Sequence, residues 1–186
     1  MDQDELLRRY DDGERNFAGL VNFSGVDLDL TSVDLSEADL SRANLKGAIL
    51  LGVNLSGANL SEANLSGATV EGIELIGANL NSTNLSRIHG GEATFDNASL
   101  VGADLSGARL YQCRFSGTNL TGANLTNAIL RYSSFRNANL TNANLTGAVD
   151  AQGCSDAILH NTVMPDGTIR SDSTGYQWLQ TDDLGR

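Results

Sequence analysis

The chain has 186 residues, enough for one domain, and a formal net charge of −11. Its acidic start, Met1-Asp2-Gln3-Asp4-Glu5, is not followed by an apolar run, so no signal peptide is expected. No stretch approaches the roughly 18 apolar residues of a membrane span, and the sequence reads as a soluble, cytoplasmic protein with no membrane contact.

Asp2 to Asp12 has the marks of a helix. Asp2 and Glu5 can form a capping box, Arg8 and Arg9 sit near the C-terminal end, and Gly13 can stop it. Leu6, Leu7 and Tyr10 make one apolar edge. Phe17, Phe23 and Leu28 then open a repeat in one phase, whereas Leu30 and Leu35 belong to another. A two-residue slip is therefore expected between Asp27 and Ser32, either as a bulge or as a joint.

From Leu30 to Leu145 one five-residue unit recurs without a change of phase. Its centre falls at every fifth position, and 22 of the 24 centres are Leu or Phe, with Val70 and Gly90 the exceptions. Counting the centre as i, position i−2 is usually Ala (Ala38, Ala58, Ala103, Ala143) and i−1 is Asn or Asp (Asn44, Asn59, Asn124). Position i+1 is Ser or Thr, and i+2 is often Gly or Asn (Gly57, Gly107, Asn97, Asn127). A period of five fits neither a helix nor a strand. Each unit buries one large and one small residue and then turns, with i+2 supplying the positive φ. Stacked corners of this kind make a solenoid.

This pattern resembles the pentapeptide repeat family, A-(N/D)-L-X-X, over Val26 to Val149. The start Glu5-Leu6-Leu7-Arg8-Arg9-Tyr10 is similar to that of cyanobacterial members. The resemblance implies an all-β, right-handed quadrilateral parallel β-helix with four pentads per coil and a short N-terminal α-helical cap. Two spacings support four sides. Phe95, Phe115 and Phe135 are twenty apart, as are Val33, Val53 and Ile73, and all six belong to one face. Large i−2 residues in the early coils and Phe in the later ones suggest volume exchange within one core column. Six coils at about 4.8 Å give a rod roughly 29 Å long. Residues 1–18 are read as a cap, with a docking helix as the alternative; 19–150 as the β-helix; and 151–186 as the C-terminal cap and tail.

The array has one defect, Ile88-His89-Gly90-Gly91-Glu92, where Gly90 takes a core centre. Either Ile88 swings in to fill the space or the side bulges outward. Beyond Asp150 the pattern fades. Val163 to Ile169 reads as two short strands around a Pro-Asp-Gly turn. Ser171 to Gly175 reads as a loop, and Tyr176 to Arg186 as a loose end with Trp178 as a peg or part of the tail. Cys113 points inward, and Cys154 lies about two coils (~10 Å) away, beyond disulfide reach. Free thiols fit a reducing compartment.

No nucleophile, base and orienting group occur together, so no enzyme is expected. The glycines recur at corner spacing and make no phosphate loop. The i−1 column is mostly neutral Asn, better suited to bonding neighbouring backbone than to holding calcium. Neither His89 nor His160 has ligand spacing to a cysteine. No metal, cofactor or direct nucleic-acid binding is expected. The remaining functions are two. The first is a protein-interaction scaffold or regulator with an unknown partner, monomeric or weakly dimeric. The second, implied by the resemblance, is a DNA mimic that binds DNA gyrase. Against the second, residues 1–34 hold nine acids and three bases and residues 150–186 hold six and two, but residues 35–149 hold eight and seven. A phosphate mimic needs its charge along the rod, and no obvious C-terminal dimerisation helix follows.

With four pentads per coil, one face departs from the Asn pattern. Its i−1 column reads Asp29, Ile49, Thr69, His89, Arg109, Ile129. Its i+1 column includes Leu51, Tyr111 and Arg131, with Tyr132 beside it, and Arg114 and Arg136 flank it. Outward Arg, Tyr and Ile are what interface cores use. The candidate protein-binding residues are therefore Ile49, Leu51, His89, Arg109, Tyr111, Arg114, Ile129, Arg131, Tyr132 and Arg136. Surface drift or a dimer contact would explain the same column.

Overall fold

Each pentad folds alike because its two inward residues and its corner are all local. In the unit around Leu55, Leu55 and Ala58 are buried, and the Ala58 N–H donates to the Leu55 carbonyl at 3.1 Å across the turn. Between them Gly57 takes the left-handed conformation (φ 69). Asn97 (φ 58) does the same where Gly is absent, and the corner also holds Glu62 (φ 60) and Tyr132 (φ 60). L-residues resist this conformation. Bonds to the next coil, such as Glu62 N–H to the Asn81 carbonyl at 3.0 Å, help hold it.

The computed structural model describes residues 1–22, 29–150 and 156–172. Parallel bridges link each i−1 residue to the one twenty positions on, from Asp29–Ile49 through Ile129–Val149. One coil is thus four pentads, and the array is a repeat β-helix. A turn after every short extended piece keeps most pairings to single bridges. Between them, Asn59 N–H donates to Ala38 O at 2.9 Å and Leu60 N–H to Asn79 O at 2.7 Å.

The core is a set of ladders. Phe95, Phe115 and Phe135 stack with centroids 4.6 and 4.8 Å apart and planes within 5°. The spacing of twenty predicts this. Where the centre is Phe, the i−2 residue of that pentad shrinks to Ala93, Cys113 or Ser133; where it is Leu55 or Leu75, Val53 or Ile73 fills the space. Hydroxyls also enter the core. Thr83, Thr118 and Thr162 each donate at 2.7 Å to a carbonyl of the preceding coil. Without that acceptor a buried hydroxyl would cost about 1–3 kcal/mol.

The helix α1 (Gln3–Asp11) is N-capped by Asp2, whose carboxylate accepts from Glu5 N–H at 2.8 Å. It buries Leu6 and Tyr10 in the common core, and the Tyr10 hydroxyl donates to Ser36 O at 2.8 Å. The Arg15 guanidinium lies 3.7 Å from the Tyr10 ring centroid. The register that follows narrows the expected slip, part of which, Asp27 and Leu28, lies outside the described residues. Asn16 pairs with Asp39, Asn22 with Asn44 and Asp29 with Ile49, separations of 23, 22 and 20. One extra residue therefore lies between Asn16 and Asn22, and the array is in step from Asp29 on. Phe23 and Leu28 lie outside the described residues.

Two three-residue strands break the single-bridge rule: β1 (His89–Gly91) and β2 (Arg109–Tyr111), parallel and in register. Past Asp150 the coil does not end. Asn139 pairs with Ile158 and Asn144 with Val163, 19 apart, and Ala157, Leu159 and Met164 are buried. The final coil is one residue shorter. It closes on β3 (Thr162–Val163) and β4 (Ile169–Arg170), antiparallel around Pro165-Asp166-Gly167 as expected. The readings for Cys154, Trp178 and the segment from Tyr176 fall outside the described residues. Among the described residues, no helix is long and apolar enough to cross a membrane.

Candidate protein-binding face

On the Asn-lined faces the side chains satisfy one another. Asn59 Oδ1 accepts from Ser61 N–H at 3.2 Å and from Asn79 Nδ2 at 3.0 Å, while Asn59 Nδ2 donates to Asp39 Oδ1 at 3.1 Å. The same ladder recurs from Asn124 to Asp104 at 3.0 Å. These amide oxygens are occupied, which leaves little for a cation or a partner.

The face centred on Val70, Gly90 and Leu110 lacks that ladder beyond Asp29. Its i−1 residues still stack in register, Ile49 on Thr69, Thr69 on His89, His89 on Arg109, and Arg109 on Ile129. With no Asn to accept from it, Gly91 N–H donates to Glu71 Oε2 at 2.8 Å. At Gly90 the coil does not bulge outward, which corrects that alternative, while Ile88 is fully buried in the core, in keeping with the other. The pairing with Leu110 is in register. A Cβ on Gly90 would meet Val70 Cγ2 at 2.6 Å and Leu110 Cδ2 at 3.5 Å. Neighbouring side chains take the missing volume.

The consequence is a groove of about 520 Å³, lined by Glu71, His89, Gly90, Arg109, Leu110, Tyr111, Ile129 and Arg131. His89, Arg109 and Ile129 come from the i−1 column; Glu71, Tyr111 and Arg131 come from the i+1 column. Gly90 and Leu110 lie between the two columns. Five of the ten candidate residues thus converge: His89, Arg109, Tyr111, Ile129 and Arg131. Tyr132 joins them indirectly, edge-on to Tyr111 with centroids 5.4 Å apart. Ile49 is exposed and Leu51 half-buried, and neither lines the groove. Glu71, Gly90 and Leu110 were not among the candidates. Glu71 could have been found, because it continues the i+1 column at the same spacing of twenty.

The arginines separate by partner. Arg114 is ion-paired with Asp96, its Nε at 2.9 Å, and that hydrogen bond raises its pKa. Arg136 approaches Asp156 at 3.7 Å. Arg131 Nε lies 3.1 Å from the buried Asp150, which occupies a core-centre position. Arg109 has no ion pair among the described residues. Below the groove, the Cys113 thiol lies 3.7 Å from Gly90 O, and burial pushes its pKa up to about 11. It remains a neutral thiol near pH 7, a poor nucleophile. Among the described residues, no three His, Cys, Asp or Glu side chains are grouped to hold a metal.

The sequence pattern of pentapeptide repeats matches in eight copies, over residues 20–47, 38–75, 58–89, 73–110 and 108–147. The chain belongs to the pentapeptide repeat family. Among solved pentapeptide repeat proteins it is similar to HetL of the cyanobacterium Nostoc sp. strain PCC 7120, involved in heterocyst differentiation regulation. Identity is 28% over 91% of this chain and 100% of that one, with a TM-score of 0.30. It is 35% identical to alr5209 of Nostoc PCC 7120 over 60% of this chain and 79% of that one, TM-score 0.43. It is 28% identical to Rfr23 of Cyanothece 51142 over 79% and 94%, TM-score 0.32. No curated protein matches the chain.

Proposed function

We propose that this pentapeptide repeat protein is a non-enzymatic, cytoplasmic protein-interaction scaffold or regulator. Its solenoid is a right-handed quadrilateral parallel β-helix, with residues 1–18 as one cap and 151–186 as the other end. The partner docks on the face of Arg109 and Tyr111. The observation that carries this reading is the convergence of outward Arg, Tyr, Ile and His side chains on a groove in a face without the Asn ladder. Tyr111 is 45% exposed and Tyr132 57%. Aromatic and Arg side chains held in this way are the usual anchors of protein interfaces. The near-neutral charge of residues 35–149 supports a protein partner over mimicry of a phosphate backbone.

A DNA gyrase supercoiling assay run beside affinity capture from the source cell tests this reading. The expected result is no inhibition of gyrase and a captured protein that is lost on the combined Arg109→Glu and Tyr111→Ala change. Inhibition of gyrase with no captured regulator would replace the scaffold with the DNA mimic.

A further inference from the structure

The groove has a direction as well as a composition. Between its Glu71 and Arg131 ends lie three coil spacings, roughly 14 Å, or about four residues of extended chain. At one end stands Glu71, held to Gly91 N–H. Towards the other end stand Arg109 and Arg131, with the Tyr111–Tyr132 pair and Ile129 beside them.

Charge follows the same axis. Residues 35–86 hold two bases and five acids. Residues 87–156, which include the acids that face Arg131 and Arg136, hold five bases, Arg87, Arg109, Arg114, Arg131 and Arg136, and five acids, so this half is neutral within a chain of −11 and against −3 for residues 35–86. Arg114 and Arg131 already face Asp96 and Asp150. Arg109 is the groove's cation with no ionic partner among the described residues. A Debye length of about 8 Å confines its field to the groove. The rest of the acidic molecule repels long polyanions such as nucleic acid.

Tyr132 adds an independent observation. It sits at a left-handed corner (φ 60), where a bulky residue costs about 1–2 kcal/mol, yet its ring is exposed and set edge-on to Tyr111. The same corner is left-handed at Glu62, Arg87 and Gln112, so what sets Tyr132 apart is its exposed ring against Tyr111.

The geometry points to an extended acidic segment of a partner protein as the occupant of this groove. One of its carboxylates pairs with the Arg109 guanidinium, and an apolar side chain rests on Tyr111, Tyr132 and Ile129. Its acidic end points away from Glu71. This rests on the reading of the face as the docking side and names the class of partner.

The test is fluorescence anisotropy with labelled peptides that combine Asp or Glu with one Leu or Trp, each matched by an Asn/Gln counterpart, against the full chain. The acidic peptides bind and the amide counterparts bind about tenfold more weakly or worse, the loss expected for one charge-assisted contact. Arg109→Glu produces a similar loss. Glu71→Gln tightens binding, because it removes a like charge and keeps an acceptor for Gly91 N–H. Tyr132→Gly weakens binding without loss of fold, since Gly accepts the corner. Equal affinity for acidic and amide peptides overturns the inference. So does displacement by a duplex oligonucleotide, or self-association of the wild type that Arg109→Glu abolishes. If no peptide binds while a captured full-length partner is still lost on Arg109→Glu, the docking face stands and the acidic-segment inference falls. If Arg109→Glu affects neither, both fall.

Discussion

Gly90 lies against Val70 so closely that a single added methyl would stand 2.6 Å from Val70 Cγ2. Gly90→Ala is therefore an overpacking change at a position where the repeat pattern asks for Leu. It should destabilise the chain by about 1–3 kcal/mol in chemical denaturation. Leu105→Ala, which opens a cavity, should cost on the order of 2–5 kcal/mol, while Ser106→Ala at an outward position should be near neutral. A stabilised Gly90→Ala would show that the groove floor is loosely packed.

Tyr10 ties α1 to the first coil through its hydroxyl on Ser36 O. Tyr10→Phe should lower stability by about 0.5–1.5 kcal/mol, the net value of one hydrogen bond. Deleting residues 1–12 uncovers core and strand edges and should produce end-to-end association, visible by light scattering. A truncated chain that stays monomeric and equally stable would return the helix to the docking reading.

Asp39 is held below the usual carboxylate range first by the Ser41 hydroxyl, then by the Ser41 N–H and the Asn59 amide. Asp29 is lowered first by the Thr31 hydroxyl and then by its N–H, and Asp34 first by the Ser36 N–H and then by its hydroxyl. A lowered folded pKa contributes stability that is present above the unfolded value, about 3.9. That stability is lost as pH falls through the lower folded value. Stability should therefore decline on acidification below about pH 4, and Asp39→Asn should flatten part of that slope. An unchanged slope would mean these turn bonds form equally in the unfolded chain.

The corner at Tyr132 makes a ranking prediction. Both Tyr132→Gly and Tyr132→Ala lose the ring, but only Gly relieves the left-handed backbone. The Gly variant should be the more stable of the two by about 1 kcal/mol in thermal unfolding. The opposite order would mean this corner is not left-handed.

The array was legible because every unit states its own geometry. Leu60, Ala58 and Gly57 specify inside, inside and corner within one pentad, and the spacing of Phe95, Phe115 and Phe135 places twenty residues in a coil. What was not legible depends on neighbours one coil away. The position of the extra residue between Asn16 and Asn22 follows from which residue meets Asn44, not from the local pattern. The continuation to Val163 was hidden because Asp150 replaces a core Leu, with Arg131 beside it. Half of the candidate face converged because its columns follow the same period. The partners of Arg114 and Arg136 are Asp96, 18 residues away, and Asp156, 20 residues away. Column reading alone did not include those pairings.

If the face of Arg109 and Tyr111 is the docking side and the Asn-lined faces are not, two variants should behave differently. Each is read by its thermal midpoint and by its retention of the captured partner. One is the combined Arg109→Glu and Tyr111→Ala change; the other places matched substitutions at Asn64 and Asn84. The first should keep a near wild-type midpoint and lose the partner, and the second should keep the partner. Binding that survives the first and fails with the second would put the docking surface on the wrong side of the rod.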